Sequence, residues 1–538
     1  MKDEIQRSLA QLKLPDSPKP YFIAYTAIDQ KDSYLGASFG ALLGKYQSRS
    51  RNIRADFRIG SRTFDNTNFG GPFDALPVRE TLPLDDDYAV IRRALWYASD
   101  NAYKSAAESF ATKTAALKNQ TVEPDDAGDF TEETAAHVVA EHPSAIGPLD
   151  AYELLVRKLS LIADAYPEIQ ESDVALRIAA VRQYVVTSEG TLAIEAQTYL
   201  DLRVPFSTQA DDGMEVKNAL RIVRSGQAEP LSEKAVLDAA KRVAAELMEV
   251  RKAKTADDYD GPVLFEGMAA PEIVNSVLAP NLLGTPPRKT GASNSGILRE
   301  LAAKETELAG KVGHRILPAA FRIEDDPTLD RFGNLPLVGT YAVDDEGIPA
   351  ARVALVEDGV LEGFLMSRTP RRGIAHSNGH GRGDFTLQPK AAIGNLIMTS
   401  RAGLSPPNLR KRLLDQVKAA HLPYAIVIRK LEEDPTGGYA GTFRKMRGAS
   451  RGPSATVAVK VLPDGTEEFV RGAQLAEVTL AAFEDIVAAG REPFAASFVS
   501  GSPYSVVAPA LLFKRIELKK PTGTKNKTPV LGRPDLAP

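Results

Sequence analysis

Two histidines four residues apart, His376 and His380, and two glutamates, Glu266 and Glu272, are the side chains of this sequence best suited to metal or acid–base chemistry. On one helix face, imidazoles at that spacing can grip a zinc ion. Here Asn378-Gly379 splits the pair and Gly381 follows it, which favours a tight loop over a helix. Three uses of the loop stay open: a metal site, a structural turn, or a surface that contacts a peptide or other ligand through Asn378, Gly379, His380 and Arg382. A buried Glu266 or Glu272 would have a raised pKa and become a candidate general acid or base. Glu272 falls in the first turn of a short helix, where a carboxylate meets the positive end of the helix dipole. Glu266 precedes Gly267 at a strand-to-helix turn, a better place for a site residue. The acidic run Asp344-Asp345-Glu346 is accounted for by a hairpin turn.

The remaining chemistry is bounded by what is absent. The 538 residues contain six histidines and no cysteine, so disulfides, thiolate zinc sites, iron–sulfur clusters and cysteine nucleophiles are excluded together. His137 and His142 read as solvated surface residues, and His314 and His421 as structural residues beside apolar strands. No glycine-rich loop of the phosphate-binding or dinucleotide type occurs in the right setting. Lys and Arg (66) nearly balance Asp and Glu (70), for a net charge of −4; a nucleic-acid partner is not expected, since such binders carry a basic excess. No apolar run is long enough to span a bilayer, so no membrane partner is expected either. Met1 to Pro20 lacks the apolar core of a signal peptide, and a cytoplasmic location is the expectation.

The elements that must position these residues are legible in the hydrophobic pattern. Pro20 to Ser61 reads as three alternating strands, and Asp86 to Asn119 as a long helix whose stripe of Ile91, Leu95, Ala98, Ala102, Ala106 and Phe110, with Trp96 lying on it, is core. Thr121 to Gly147 is acidic and reads as an exposed connection. A helix over Leu149–Ala165, strands over Val174–Thr187 and Thr191–Val204, and a helix capped by Ser232 follow. Gly284 to Gly313 reads as a loop and a polar helix, and Leu335 to Met366 as a meander with turns at Asp344–Gly347 and Glu357–Gly359. Strands are expected at Tyr424–Arg429, Thr456–Val461, Phe469–Gly472 and Ser505–Leu518, and a helix over Leu475–Ala489. The division this suggests is an α+β chain of two domains, a mixed α/β domain over 1–255 and a β-rich domain over 256–518, with a disordered tail at 519–538.

GPVLFEG at 261–267, DDEGIPAARVALVEDGVLEGFLMS from Asp344, IAHSNGHGRG from Ile374, PKAAIGNLIM from Pro389 and LPDGTEEFVRGAQL from Leu462 occur in an order and spacing that resemble the TldD/PmbA (TldE) family of metallopeptidase-related proteins. RRALWYASDNAYKSA from Arg92 resembles a long-chain branch of the same family. The resemblance implies a mixed α/β part followed by a β-rich part, and dimerisation. It also implies two kinds of member. The TldD type carries HExxxH on the helix after the GPVLFEG-like strand and uses zinc, with a downstream Cys as a further ligand. The PmbA/TldE type lacks that motif. Aligned on Glu272, the two motif histidines fall at Pro271 and Ser276 in this chain. The expectation is therefore no zinc cofactor held in the family's way, and a noncatalytic subunit that binds a peptide or unfolded segment, as a homodimer or beside an HExxxH-bearing homologue. The rivals are an active peptidase with a divergent site around His376 and His380, using Glu266 or Glu272, and a homodimeric binding protein with no protease partner.

Overall fold

The structure is a computed structural model that describes residues 1–70, 77–118, 127–142, 144–228, 230–289, 305–383, 385–432 and 454–521. Its first sheet is built on a long antiparallel hairpin, β1 (Pro20–Ser38) and β2 (Ala41–Ile59). The chain reverses at Phe39 and Gly40, both at positive φ (45° and 81°), as a two-residue hairpin turn requires. Two strands thus replace the three expected: alternation marks a strand but not where it doubles back, and Phe is not a residue that announces a left-handed turn. Strands β3 (Val78–Thr81), β4 (His137–Glu141), β5 (Asp173–Thr187), β6 (Leu192–Gln209) and β7 (Glu215–Ser225) complete the sheet. Its order is β3-β2-β1-β5-β6-β4, with β7 also on β6.

Helices cover this sheet at two places. Helix α1 (Lys2–Gln11), through Ile5, and α2 (Tyr88–Leu117), through Leu95, Ala98, Ala102 and Ala106, share a core with Ile23, Tyr25, Ile53 and Phe57. The Asp87 side chain caps α2 by accepting from Val90 N at 3.0 Å. Trp96 is a correction: it is 47% exposed, because one residue along a helix from Leu95 is a 100° turn away from the buried stripe. Helix α3 (Asp150–Ser160), continued by a 3-10 turn at Leu161–Ala165, and α4 (Glu233–Lys252) cover Leu35, Leu176, Leu202 and Phe206. The stretch expected as an exposed connection is partly interior: Asp129, Phe130 and Thr131 are buried, and β4 runs parallel to β6.

The second sheet centres on β8 (Tyr259–Phe265). Around it lie β9 (Phe321–Asp325), β10 (Val353–Glu357), β11 (Asn395–Ser400), β12 (Ala425–Leu431), β13 (Ala455–Val461), β14 (Glu467–Arg471), β15 (Ile486–Ser500) and β16 (Ser502–Lys519). Strand β8 is antiparallel to β16 and parallel to β12. Its Val263 and Phe265 enter one core and its Leu264 another, so it reads as a continuous apolar run instead of an alternation. Helix α5 (Ala269–Ile273) follows β8 and continues as a π turn to Leu278. On the Leu264 side lies α6 (Pro406–Ala419), which buries Leu409, Leu413 and Val417. Two expectations are corrected here. Helix α7 (Leu480–Glu484) is five residues long, and from Ile486 the chain joins the β15–β16 hairpin instead of staying helical. The Leu335–Met366 meander reduces to the hairpin of β10 with Val360–Leu361, turning at Asp358-Gly359, and the two-residue strands at Arg331–Phe332 and Leu335–Pro336. The remainder is held by turns, because proline and glycine interrupt the pairing. The polar helix expected before Gly313 falls largely on 290–304, and the tail on 522–538; both lie outside the described residues.

Candidate functional site

Glu266 directly follows β8, and Glu272 lies on α5. Gly267, at φ +60°, reverses the backbone between Glu266 and α5. Glu266 Oε1 accepts from Arg410 Nη2 on α6 and from Arg429 Nε on β12, both at 2.9 Å. Both arginines also reach Glu467, at 2.8 and 2.5 Å, which closes a half-buried ring of four charges. Glu272 Oε2 accepts from Leu431 N at 2.7 Å and ties α5 to the end of β12. Pro271 is buried in the first turn of the helical run, and the Ser276 hydroxyl donates to Ile273 O at 3.2 Å. A zinc ion on this helical run does not fit these residues: Pro271 has no ligating side-chain atom, and Ser276 offers a neutral hydroxyl where zinc takes imidazole, thiolate or carboxylate. Among the described residues, no group of three or more His, Asp or Glu side chains is gathered as a metal site.

The histidine loop separates its members. His376 is 74% exposed, with Nδ1 3.7 Å from Glu133 Oε1. His380 is fully buried: Nε2 lies 3.3 Å from Asp325 Oδ1 and Nδ1 2.9 Å from Asn378 O. Asp325 also accepts from Asn395 N at 2.9 Å. The Asn378 amide accepts from Met366 N at 2.7 Å and donates to Phe364 O at 2.9 Å. Gly379 sits at φ +76°, where a Cβ would lie 2.2 Å from Pro349 O, and its carbonyl accepts from the Tyr341 hydroxyl at 2.8 Å. Asn378, Gly379 and His380 are thus occupied in holding the loop.

Arg382 is placed differently. Its side chain is 9% exposed and its guanidinium lies 4.1 Å over the Tyr341 ring. It lines a cleft of about 410 Å³ between the two sheets, within the size range of small-ligand sites. The first sheet contributes Thr26, Arg54 and Gln183; the second contributes Asp345, Phe385 and the turn at Gly501 and Ser502 between β15 and β16. The wall carries four arginines (Arg54, Arg177, Arg203, Arg382) against three carboxylates (Glu195, Asp201, Asp345). Asp384 lies outside the described residues.

Beside the cleft the acidic turn is present but interior. Asp344 accepts from Glu346 N and Ile348 N, each at 2.9 Å, and from Gly381 N at 2.8 Å. Burial, and then the charge of Glu346, holds the Asp344 carboxyl well above the usual carboxylate range. Burial pushes Glu346 up to about 7, tempered by the hydrogen bond from Arg368 N. Arg368, 2% exposed, crosses to the first sheet. It holds Glu189 with two nitrogens at 2.7 and 3.0 Å and donates to Thr131 O at 2.7 Å. Phe130 is sandwiched between Arg368 at 4.0 Å and Arg58 at 3.7 Å. Nothing in the sequence pattern singles out Arg368, Glu189 or Phe130, since they meet only when the two sheets do.

Residues 260–520 match the PmbA/TldA metallopeptidase C-terminal domain family. A metalloprotease of Archaeoglobus fulgidus is 31% identical over 134 residues, 25% of this chain and 28% of that protein. A metalloprotease TldD homolog of Haemophilus influenzae is 27% identical over 110 residues, 20% of this chain and 22% of that one. The chain thus spans about a quarter of the length of these curated relatives. Similarity of fold extends much further. The crystal structure of TldE from Thermococcus kodakarensis superposes with a TM-score of 0.62 at 13% identity, covering 96% of this chain and 99% of that one. A putative modulator of a DNA gyrase from Thermotoga maritima does so with a TM-score of 0.60 at 15% identity, covering 92% and 96%.

Proposed function

We propose, from the match of residues 260–520 to the PmbA/TldA metallopeptidase C-terminal domain family, that this chain is a noncatalytic subunit of the TldD/PmbA family that binds a peptide or unfolded segment. Its partner in the dimer would be an HExxxH-bearing homologue. The observation that carries this reading is the state of the α5 segment. Pro271 and Ser276 stand where zinc ligands would be needed, and the Glu272 carboxylate is engaged by the Leu431 N–H. The cleft supports the binding half of the proposal. Exposed strand edges supply a further means of holding an extended peptide, by main-chain hydrogen bonds: over Ala41–Ser50 the outer edge of β2 has no partner strand among the described residues.

The test is metal analysis and peptidase assay of the isolated chain. No stoichiometric zinc and no chelator-sensitive hydrolysis are expected, with hydrolysis gained on adding an HExxxH-bearing homologue from the same cell. Stoichiometric zinc lost on His376→Ala, or hydrolysis by the isolated chain that Glu266→Gln abolishes, would overturn the proposal in favour of a divergent active site. Recovery of self-dimers alone from the native host would favour a homodimeric binding protein.

A further inference from the structure

We propose that Arg382 anchors a carboxylate subsite in the cleft between the sheets, taking either the C-terminal carboxylate of a peptide or an acidic side chain within it. This rests on the peptide-binding reading and specifies the chemistry of its ligand. Arg382 is nine-tenths buried and stacked on Tyr341, so the plane of its guanidinium is fixed. Its Nε lies 3.3 Å from Asp345 Oδ1 without an aligned hydrogen bond. Nε is its one fully buried nitrogen left without a hydrogen bond; the Nη atoms make none among the described residues, and Arg382 forms part of the cleft wall. Asp345 is shared: its carboxylate also accepts from Gln183 Nε2 at 3.3 Å and from Gly383 N at 2.9 Å.

A guanidinium cannot shed its charge when buried, and the carboxylate within ion-pair distance of this one, Asp345, lies on its Nε side. A ligand that supplies two coplanar oxygens meets that fork directly. Arg54 adds a second guanidinium to the same wall. Of the four arginines on the wall, Arg177 is paired with Asp32 at 2.6 Å and Arg203 lies 3.6 Å from Asp201, so a ligand carboxylate would be met by Arg382, with Arg54 on the same wall. A dianion such as phosphate would be repelled by Glu195 and Asp201 on the same walls.

The experiment compares three fluorescently labelled tripeptides on the wild-type chain: Ala-Ala-Phe with a free carboxylate, its C-terminal amide, and Ala-Glu-Phe-amide. The amide of the first is expected to bind about 10- to 100-fold more weakly than its acid, the discrimination typical of charged hydrogen bonds. Recovery with Ala-Glu-Phe-amide would identify an acidic side chain as an accepted source; no recovery would restrict the subsite to a chain terminus. Arg382→Gln should abolish the acid-over-amide preference, and Arg382→Lys should retain part of it. Equal affinity of acid and amide for the wild type would overturn the proposal without recourse to any variant. If no peptide binds, N-acetylglycine serves as a probe by thermal shift. Stabilisation of the wild type but not of Arg382→Gln would keep the subsite and sink the peptide-binding reading; no stabilisation would sink both.

Discussion

Glu346 is held where ionisation is costly, and its sign can be worked out. Its folded pKa is raised from 4.5 to about 7. Between those values the folded chain keeps a proton that the unfolded chain has released, so stability falls as pH rises through that window. Glu346→Gln keeps an oxygen to accept from Arg368 N and removes the titration. It should flatten the pH dependence of the urea midpoint between pH 5 and 8 and raise stability at pH 8 by on the order of 1–3 kcal/mol. An unchanged slope in the variant would show that another group is responsible. The same residue scale shows what type and spacing alone can deliver. The His376/His380 spacing and the glycine between them marked a loop. The partners of its side chains were not legible, because Asp325 comes from a distant part of the chain and Phe364 and Met366 from a separate segment with no pattern that ties it to the loop. Arg382 was marked by its neighbours in the sequence, whereas its stacking on Tyr341 and its place in the cleft depend on the sheets meeting.

At the scale of elements, periodicity served well wherever one face of an element is buried. Helices α2 and α4 and strands β5 and β6 lie within a few residues of where alternation and capping put them, with Asp87 and Ser232 as caps. Helix α6 escaped notice because Pro406-Pro407 resembles a breaker, yet in a first turn proline loses no hydrogen bond. The end of the Leu475–Ala489 segment has helical character, but pairing with β16 decides its fate from Ile486 onward. Leu413 on α6 is fully buried in the core it shares with Leu264 and Val427. Leu413→Ala should therefore cost about 2–5 kcal/mol in unfolding free energy. A loss below ~1 kcal/mol would mean that α6 is not seated on β8 as described.

At the scale of the molecule, the two sheets meet through both apolar and polar contacts. Val343 packs against Val185 and Ala193 of the first sheet, and Phe469 packs against the core beneath α3 and α4. The polar contacts include Arg368 on Glu189, Arg471 on Asp212, Gln183 on Asp345, and the Arg54 guanidinium donating to Asp345 O at 3.3 Å. Paired buried charges contribute little net stability, but removing one partner is costly, so the charged contacts define a relative placement more than they cement one. The four-residue overlap of β2 with β3 leaves Ala41–Ser50 of that outer strand edge without a partner strand among the described residues, and α2 presents Val90, Trp96 and Tyr97 to solvent. Trp96 is the only tryptophan in the chain. Its emission consequently reports on a single outward-facing patch and nothing else. In the isolated protein that light should be red-shifted and readily quenched by acrylamide. A partner seated on α2 would shift it to the blue and shield it, whereas one seated elsewhere would leave the signal untouched, so assembly can be mapped in solution without attaching any label.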